Sequence, residues 1–98
     1  MLRITVLNDP ETTRLKLEGK LAHEWVHEAE LAWASLGTIQ RNKELIVDLL
    51  GVSFVDEFGE KLLAEMHGAN AKLVGSGPLI SALIAAIQGR QVKDDHTR

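Results

Sequence analysis

The chain has 98 residues, which is enough for one domain with a single core. Acidic residues outnumber basic ones 14 to 11, which argues against nucleic-acid binding because phosphate contacts need clustered lysines and arginines. The absence of cysteine excludes disulfides and thiolate chemistry. No apolar run approaches the roughly 20 residues of a membrane span, and no signal-peptide pattern opens the sequence. We therefore expect a cytoplasmic protein without direct membrane insertion.

The first predicted elements are two strands of a β-hairpin. Apolar and polar residues alternate over residues 2–7 and again over residues 14–18. Asn8-Asp9-Pro10 between them is a turn signal, and Gly19-Lys20 is expected to end the second strand.

An amphipathic helix is predicted next, over about residues 23–36. Its apolar residues recur every three to four positions, so they share one face. That face consists of Trp25, Val26, Ala29, Ala32, Trp33 and Leu36. Leu31 lies off this face, and Gly37 is the expected end of the helix.

The period of the apolar pattern changes near Asp56, in the middle of the chain. Residues 45–50 are almost wholly apolar, as in a strand buried on both faces, and the run breaks at Gly51. It resumes over residues 52–55, and beyond Asp56 the spacing is helical over about residues 57–67. A strand that passes into a helix presents free N–H groups and a positive dipole end there. We expect the working surface of the protein at this junction.

The last predicted elements are a short strand over residues 71–74 and a third helix from Pro78 to about residue 88, ended by Gly89. This helix is apolar almost all round, which is typical of a helix buried on more than one side. We predict that it packs on a second copy of the chain, giving a homodimer or larger homo-oligomer. The predicted interface residues are Leu79, Leu83 and Ile87. Residues 90–98 are polar and are expected to form a mobile tail.

The order β-β-α-β-α-β-α predicts an α/β fold with a four-stranded mixed sheet and helices packed against it. The pattern resembles the STAS family, the fold of bacterial anti-sigma-factor antagonists. Four segments carry the resemblance: Gly19-Lys20-Leu21; Ile46-Val47-Asp48-Leu49 followed by Gly51-Val52-Ser53-Phe54-Val55-Asp56; Gly59 with Leu62-Leu63; and Ala71-Lys72-Leu73 running into Gly77-Pro78. Residues 1–89 would then form a STAS-like domain that lacks a clear final strand and helix.

The resemblance implies binding to a kinase-like anti-sigma factor. In the family, phosphorylation of a serine at the start of the second helix switches the antagonist off, and the segment commonly reads Asp-Ser-Ser-Gly or Asp-Ser-Ala-Gly. Here it reads Asp56-Glu57-Phe58-Gly59, so Asp56 and Gly59 match while the phosphoacceptor is missing. Glu57 either mimics a phosphorylated state or is a favourable acid in the first helical turn. Phe58 is either an exposed partner contact or a core residue.

We therefore predict a non-catalytic regulatory module that binds a protein partner and is not switched by serine phosphorylation at this helix. The partner would be an anti-sigma kinase-like protein or, as an alternative, a component of a phospholipid or other transport complex in which the chain is a STAS subunit. No cofactor is expected. The predicted partner-binding residues are Val55, Asp56, Glu57, Phe58, Gly59 and Lys61.

A third interpretation comes from the stretch His23-Glu24-Trp25-Val26-His27, which matches the H-E-x-x-H pattern of zinc proteases. In that pattern two histidines one helical turn apart hold Zn²⁺ and the glutamate is the general base. Both histidines lie off the predicted core face, and no metzincin-type extension supplies a third ligand. We therefore rank a small zinc hydrolase last and expect no metal site.

Overall fold

The computed structural model describes residues 1–39 and 43–96, and side chains are described for residues 1–36 and 43–89. Seven elements follow one another in these residues. They are strand β1 (Leu2–Asn8), strand β2 (Thr12–Leu21), helix α1 (Glu24–Ile39), strand β3 (Glu44–Val55), helix α2 (Glu57–Gly68), strand β4 (Lys72–Val74) and helix α3 (Pro78–His96).

The four strands form one sheet in the order β1-β2-β3-β4. Strand β1 pairs antiparallel with β2, whereas β3 lies parallel to both β2 and β4. Helix α1 connects β2 to β3 and helix α2 connects β3 to β4, as parallel neighbours require. The predicted α/β fold with a four-stranded mixed sheet is confirmed, and the antiparallel strand β1 lies at one edge of the sheet. In the described residues, no strand or helix follows α3.

One face of the sheet packs against the helices. Apolar residues of the strands and of all three helices form a single core cluster. Its strand residues are Leu15, Leu17, Leu21, Val47, Leu49, Val52 and Leu73, and its helix residues are Val26, Ala29, Leu36, Leu62, Leu63, Met66, Ile80 and Ile87.

On the opposite face of the sheet, the described residues form no covering layer of helices. The expectation that residues 45–50 are buried on both faces is therefore wrong: Leu50 is 58% exposed and Ile46 is half-buried. Asp48 is buried on this open face, where its carboxylate accepts a hydrogen bond from Arg14 at 2.9 Å and another from the backbone N–H of Leu50. The run of apolar residues therefore reflects the position of β3 between β2 and β4 and does not mean that both faces of the strand are covered.

Strand β3 is continuous through Gly51, which was expected to break it. Its pairing with β2 shifts register between Lys16 and Glu18 and again between Gly19 and Lys20, and each shift leaves one extra residue in β3. A Cβ atom on Gly51 would lie 2.7 Å from Cγ of Glu18. Glycine is therefore needed here for close approach of the strands at a bulge and does not end a strand.

Three other glycines were expected to end elements that in fact continue. Strand β2 passes through Gly19, whose φ of +110° is accessible to glycine, and ends at Leu21. Helix α1 runs past Gly37 to Ile39, and α3 runs past Gly89 to His96. A glycine inside a helix costs only about 1 kcal/mol relative to alanine, so the rest of the helix can outweigh it. The mobility expected of residues 90–98 remains a prediction, and residues 97 and 98 lie outside the described range.

Helix α3 contributes Ile80 and Ile87 to the core, while Leu79 on its outer side is 62% exposed. Ile87 is thus buried in the core of its own chain, whereas Leu79 and the half-buried Leu83 are accessible to a partner. The predicted contact with a second copy stays a prediction. Within the described range, no helix combines the length and the apolar character that crossing a membrane requires.

Candidate functional site

The junction between β3 and α2 is fixed by Asp56, the N-cap residue of the helix. Its backbone is extended (φ −91°, ψ −177°), and its Oδ1 accepts a hydrogen bond from the backbone N–H of Gly59 at 2.9 Å. This bond satisfies one of the free N–H groups of the first turn. The backbone N–H of Asp56 donates to the carbonyl oxygen of Leu21 at 3.2 Å. The end of β2 and the start of α2 are therefore held together.

The second carboxylate oxygen of Asp56 fixes the start of helix α1. Oδ2 accepts a hydrogen bond from the backbone N–H of His23 at 2.9 Å. His23 has a φ of +55°, a left-handed conformation that is uncommon for a residue with a side chain. The bond to Asp56 helps to offset the cost of this conformation. One carboxylate thus positions the first turns of α1 and α2 relative to each other.

The same hydrogen bonds determine the charge of Asp56. The backbone N–H of Gly59, and then that of His23, hold the pKa of this carboxyl below its ordinary value because both favour the ionised form. The side chain is only 15% exposed. Asp56 therefore places a permanent negative charge at the N-terminus of α2 at neutral pH.

The six predicted partner-binding residues divide into two groups. Glu57, Phe58 and Lys61 are exposed on α2, and Phe58 is 58% exposed. Of the two interpretations of Phe58, the exposed one agrees with the structure. The other three residues, Val55, Asp56 and Gly59, are half-buried or buried and build the junction itself.

Gly59 faces the end of β2 at close range. A Cβ atom at this position would lie 2.5 Å from the carbonyl oxygen of Leu21 and 2.8 Å from Cγ1 of Val55. The absence of a side chain lets α2 begin directly against the sheet. Gly59 therefore lies buried in the first turn of α2, and its predicted contact with a partner stays a prediction.

A groove between α1 and α2 extends the exposed surface beyond the predicted residues. It has a volume of about 260 Å³ and is lined by Val26, Glu30, Phe58, Lys61, Leu62 and Glu65. The predicted site residues include Phe58 and Lys61 but not the other four. Of these, Glu30 and Glu65 are exposed, whereas Val26 and Leu62 are buried core residues that form the wall of the groove. The available signal was the spacing of four residues between Val26 and Glu30 on α1 and between Lys61 and Glu65 on α2, which places each pair on one helix face.

The histidine pair does not have the geometry of a zinc-protease helix. Helix α1 begins at Glu24, so His23 lies outside it, contrary to the helix predicted from residue 23. Both histidines are exposed, and Nδ1 of His27 lies 3.8 Å from Oε1 of Glu30. Among the described residues, no group of three or more His, Asp or Glu side chains could hold a metal ion. The stretch therefore lacks the two histidines on successive turns of one helix that the H-E-x-x-H pattern requires.

Neither protein-family models nor curated proteins show a match to this chain. Solved structures do. The anti-sigma factor antagonist SpoIIAA in its unphosphorylated form is similar with a TM-score of 0.60 and 17% identity, over 83% of this chain and 80% of SpoIIAA. An uncharacterized protein of the DUF3478 family from Shewanella loihica PV-4, which has a SpoIIAA-like fold, gives a TM-score of 0.50 and 20% identity over 80% of this chain and 70% of its own.

A part of a larger protein, Mglu, is also similar, with a TM-score of 0.54 and 19% identity. The match covers 76% of this chain and 19% of Mglu, so the fold recurs there within a much longer polypeptide. At these identities the similarity concerns the fold alone. The chain therefore has the SpoIIAA-like fold, which confirms the STAS-like fold expected from its sequence.

Proposed function

We propose that this chain is a non-catalytic regulatory module that binds a protein partner through the start of helix α2. The contact surface consists of the exposed residues Glu57, Phe58 and Lys61. The less exposed residues Val55, Asp56 and Gly59 hold the start of the helix in place. The similarity of the fold to SpoIIAA supports this proposal, because SpoIIAA is an anti-sigma factor antagonist.

The observation that carries the proposal is the position of Phe58. More than half of this aromatic side chain is exposed in the first turn of a helix whose backbone is held on both sides. Asp56 precedes it as the N-cap and Gly59 follows it against the sheet. Aromatic residues on rigid backbone are typical anchors of protein interfaces, because little conformational entropy is lost when they bind.

We further propose that phosphorylation at the start of α2 plays no part in regulating this contact. Neither Glu57 nor Phe58 has a hydroxyl group that could accept a phosphate. Glu57 instead has a carboxylate group, which carries less charge than a phosphate group. The nearest preceding serine, Ser53, lies on β3, where its hydroxyl donates to the carbonyl oxygen of Gly19 at 3.2 Å.

Site-specific photo-crosslinking in the source organism tests the proposal. The photoreactive residue p-benzoylphenylalanine replaces Phe58 in one variant and Leu31 in the control. Leu31 is a fair control because it is similarly exposed and lies on α1, outside the groove. We expect one crosslinked partner from position 58 and none from position 31. The same product from both positions, or no product from position 58, would contradict the proposal.

The identity of the crosslinked protein decides between the two kinds of partner. A kinase-like regulator would support the role of an antagonist, whereas a membrane-transport component would support the role of a STAS subunit in a transport complex. Phe58→Ala measured against the purified partner then gives the contribution of the aromatic side chain to affinity.

A further inference from the structure

Acidic residues are concentrated on the two helices that flank the groove. Helix α1, the cap residue and helix α2 together contain half of the 14 acidic residues of the chain but one of its 11 basic residues, Lys61. The acidic residues are Glu24, Glu28, Glu30, Asp56, Glu57, Glu60 and Glu65. This surface is therefore much more negative than the chain as a whole, and it attracts positively charged partners.

The groove itself has an apolar end and an acidic end. Val26 and Phe58 lie in the first turns of their helices, and Leu62 lies one turn further along α2. Glu30 and Glu65 line the groove further from the helix starts, with Lys61 on α2 between Phe58 and Glu65. The groove thus offers an apolar contact beside Phe58 and negative charges about one turn away.

The acidic side chains of the groove are available for an external partner. In the described part of the chain, Glu65 and Lys61 form no ion pair with each other or with another residue. Oε1 of Glu30 lies 3.8 Å from Nδ1 of His27, and this contact becomes an ion pair only when the histidine is protonated. Exposed carboxylates of this kind gain more from a cationic partner than carboxylates that are already paired.

The size of the groove limits what can bind there. Pockets for small-molecule ligands usually enclose roughly 300–1,000 Å³. With a volume of about 260 Å³, this groove suits one side chain of a protein partner better than a metabolite or cofactor.

We infer that the groove between α1 and α2 receives a basic segment of the protein partner. This inference rests on the proposed function and names the chemistry of the partner. One apolar side chain of the segment packs on Val26, Phe58 and Leu62. Lysines or arginines next to it pair with Glu30 and Glu65, while Lys61 disfavours a cation at the apolar position.

An NMR titration of the full-length ¹⁵N-labelled chain tests the inference with defined probes. The test peptide is acetyl-Lys-Leu-Lys-Lys-amide, and the control peptides replace its leucine by serine or its lysines by glutamate. We expect amide shifts at the groove with the test peptide, and binding that weakens as NaCl rises from about 0.05 to about 0.5 M. The serine peptide should bind more weakly, and the acidic peptide should not bind.

Two double variants with the same change in net charge show whether the affinity for the test peptide depends on the groove or on the overall charge of the chain. Glu30→Gln with Glu65→Gln should raise the Kd of the test peptide about tenfold, which corresponds to two surface ion pairs. Glu24→Gln with Glu28→Gln removes the same charge outside the groove and should change the Kd less than about twofold.

Three results would overturn the inference. The first is an equal loss of affinity for the test peptide in the two double variants. The second is peptide-induced amide shifts that lie away from the groove. The third is amide shifts at the groove that grow with protein concentration in the absence of peptide, because they would identify a second copy of the chain as the occupant. The proposed function is judged separately. If Phe58→Ala weakens binding of the crosslinked partner but Glu30→Gln with Glu65→Gln does not, the proposed binding site is supported and the inferred basic segment is refuted.

Discussion

Gly59→Ala tests whether the start of α2 depends on close contact with the end of β2. The added methyl group would lie 2.5 Å from the carbonyl oxygen of Leu21, 2.8 Å from Cγ1 of Val55 and 3.0 Å from Cγ of Leu21. The first of these atoms belongs to the backbone and already accepts a hydrogen bond from the N–H of Asp56 at 3.2 Å. It therefore cannot move away without loss of that bond.

Two opposing effects set the size of the change. Forcing an extra methyl group into a packed site typically costs about 1–3 kcal/mol. Alanine has a higher helix propensity than glycine, which returns up to about 1 kcal/mol. Because backbone limits relaxation here, we expect the free energy of unfolding to fall by about 1–2 kcal/mol. For a domain of this size that lowers Tm by roughly 5–15 °C.

The assay is urea and thermal unfolding followed by circular dichroism, with Gly89→Ala as the matched control. Gly89 also lies in a helix, but among the described residues outside its own helix turn a Cβ atom there would meet nothing within 4 Å. The control should therefore show only the gain in helix propensity, a rise in the free energy of unfolding of up to about 1 kcal/mol. If Gly59→Ala is as stable as the wild type or more stable, the close approach of α2 to Leu21 does not exist in solution.

Three further predictions concern residues at the junction and in the sheet. Phe58→Ala should change the free energy of unfolding by less than about 0.5 kcal/mol, because the side chain is exposed, and should weaken binding of the crosslinked partner about tenfold or more in calorimetry. Asp56→Asn should lower Tm at pH 7, since Asn has one acceptor oxygen in place of two. The pKa of Asp56 is lowered in the folded state, so its contribution is present above the ordinary carboxyl pKa and is lost as pH falls through the folded value. The difference in Tm between Asp56→Asn and wild type should thus shrink below about pH 4, and a constant difference would contradict this origin. Arg14→Met should reduce the free energy of unfolding in urea by about 1–2 kcal/mol because it leaves the buried Asp48 carboxylate without its cation. This is less than for a fully buried pair, since Arg14 is 38% exposed, and the exposed Arg3→Met should have little effect.

The junction at Asp56 could be predicted from sequence because its signals are local. The period of the apolar pattern changes within a few residues, and an aspartate stands three positions before a residue whose N–H it accepts. The order of the elements and the antiparallel first pair also follow from local patterns and short turns. Each of these features depends on neighbours in the chain.

Features that depend on distant residues could not be predicted in the same way. Gly51 and Gly19 were predicted to end strands. The sequence does not show that Glu18 passes close to Gly51, or that the pairing of β2 with β3 shifts register next to Gly19. The open face of the sheet was missed because the side on which a helix packs depends on the whole fold. The groove was missed because Val26 and Leu62 meet only when two helices, separated by β3, lie side by side.

The four residues at the start of α2 carry two different kinds of information. Asp56 and Gly59 are fixed by folding, since Asp56 caps α2 and binds the residue before α1, and Gly59 allows α2 to approach Leu21. Both residues serve the junction itself, whatever the protein binds, so their agreement with the STAS pattern is evidence about fold. Glu57 and Phe58 are exposed and are free of that constraint. The residues that depart from the family pattern are therefore the ones from which the function of this chain is best inferred.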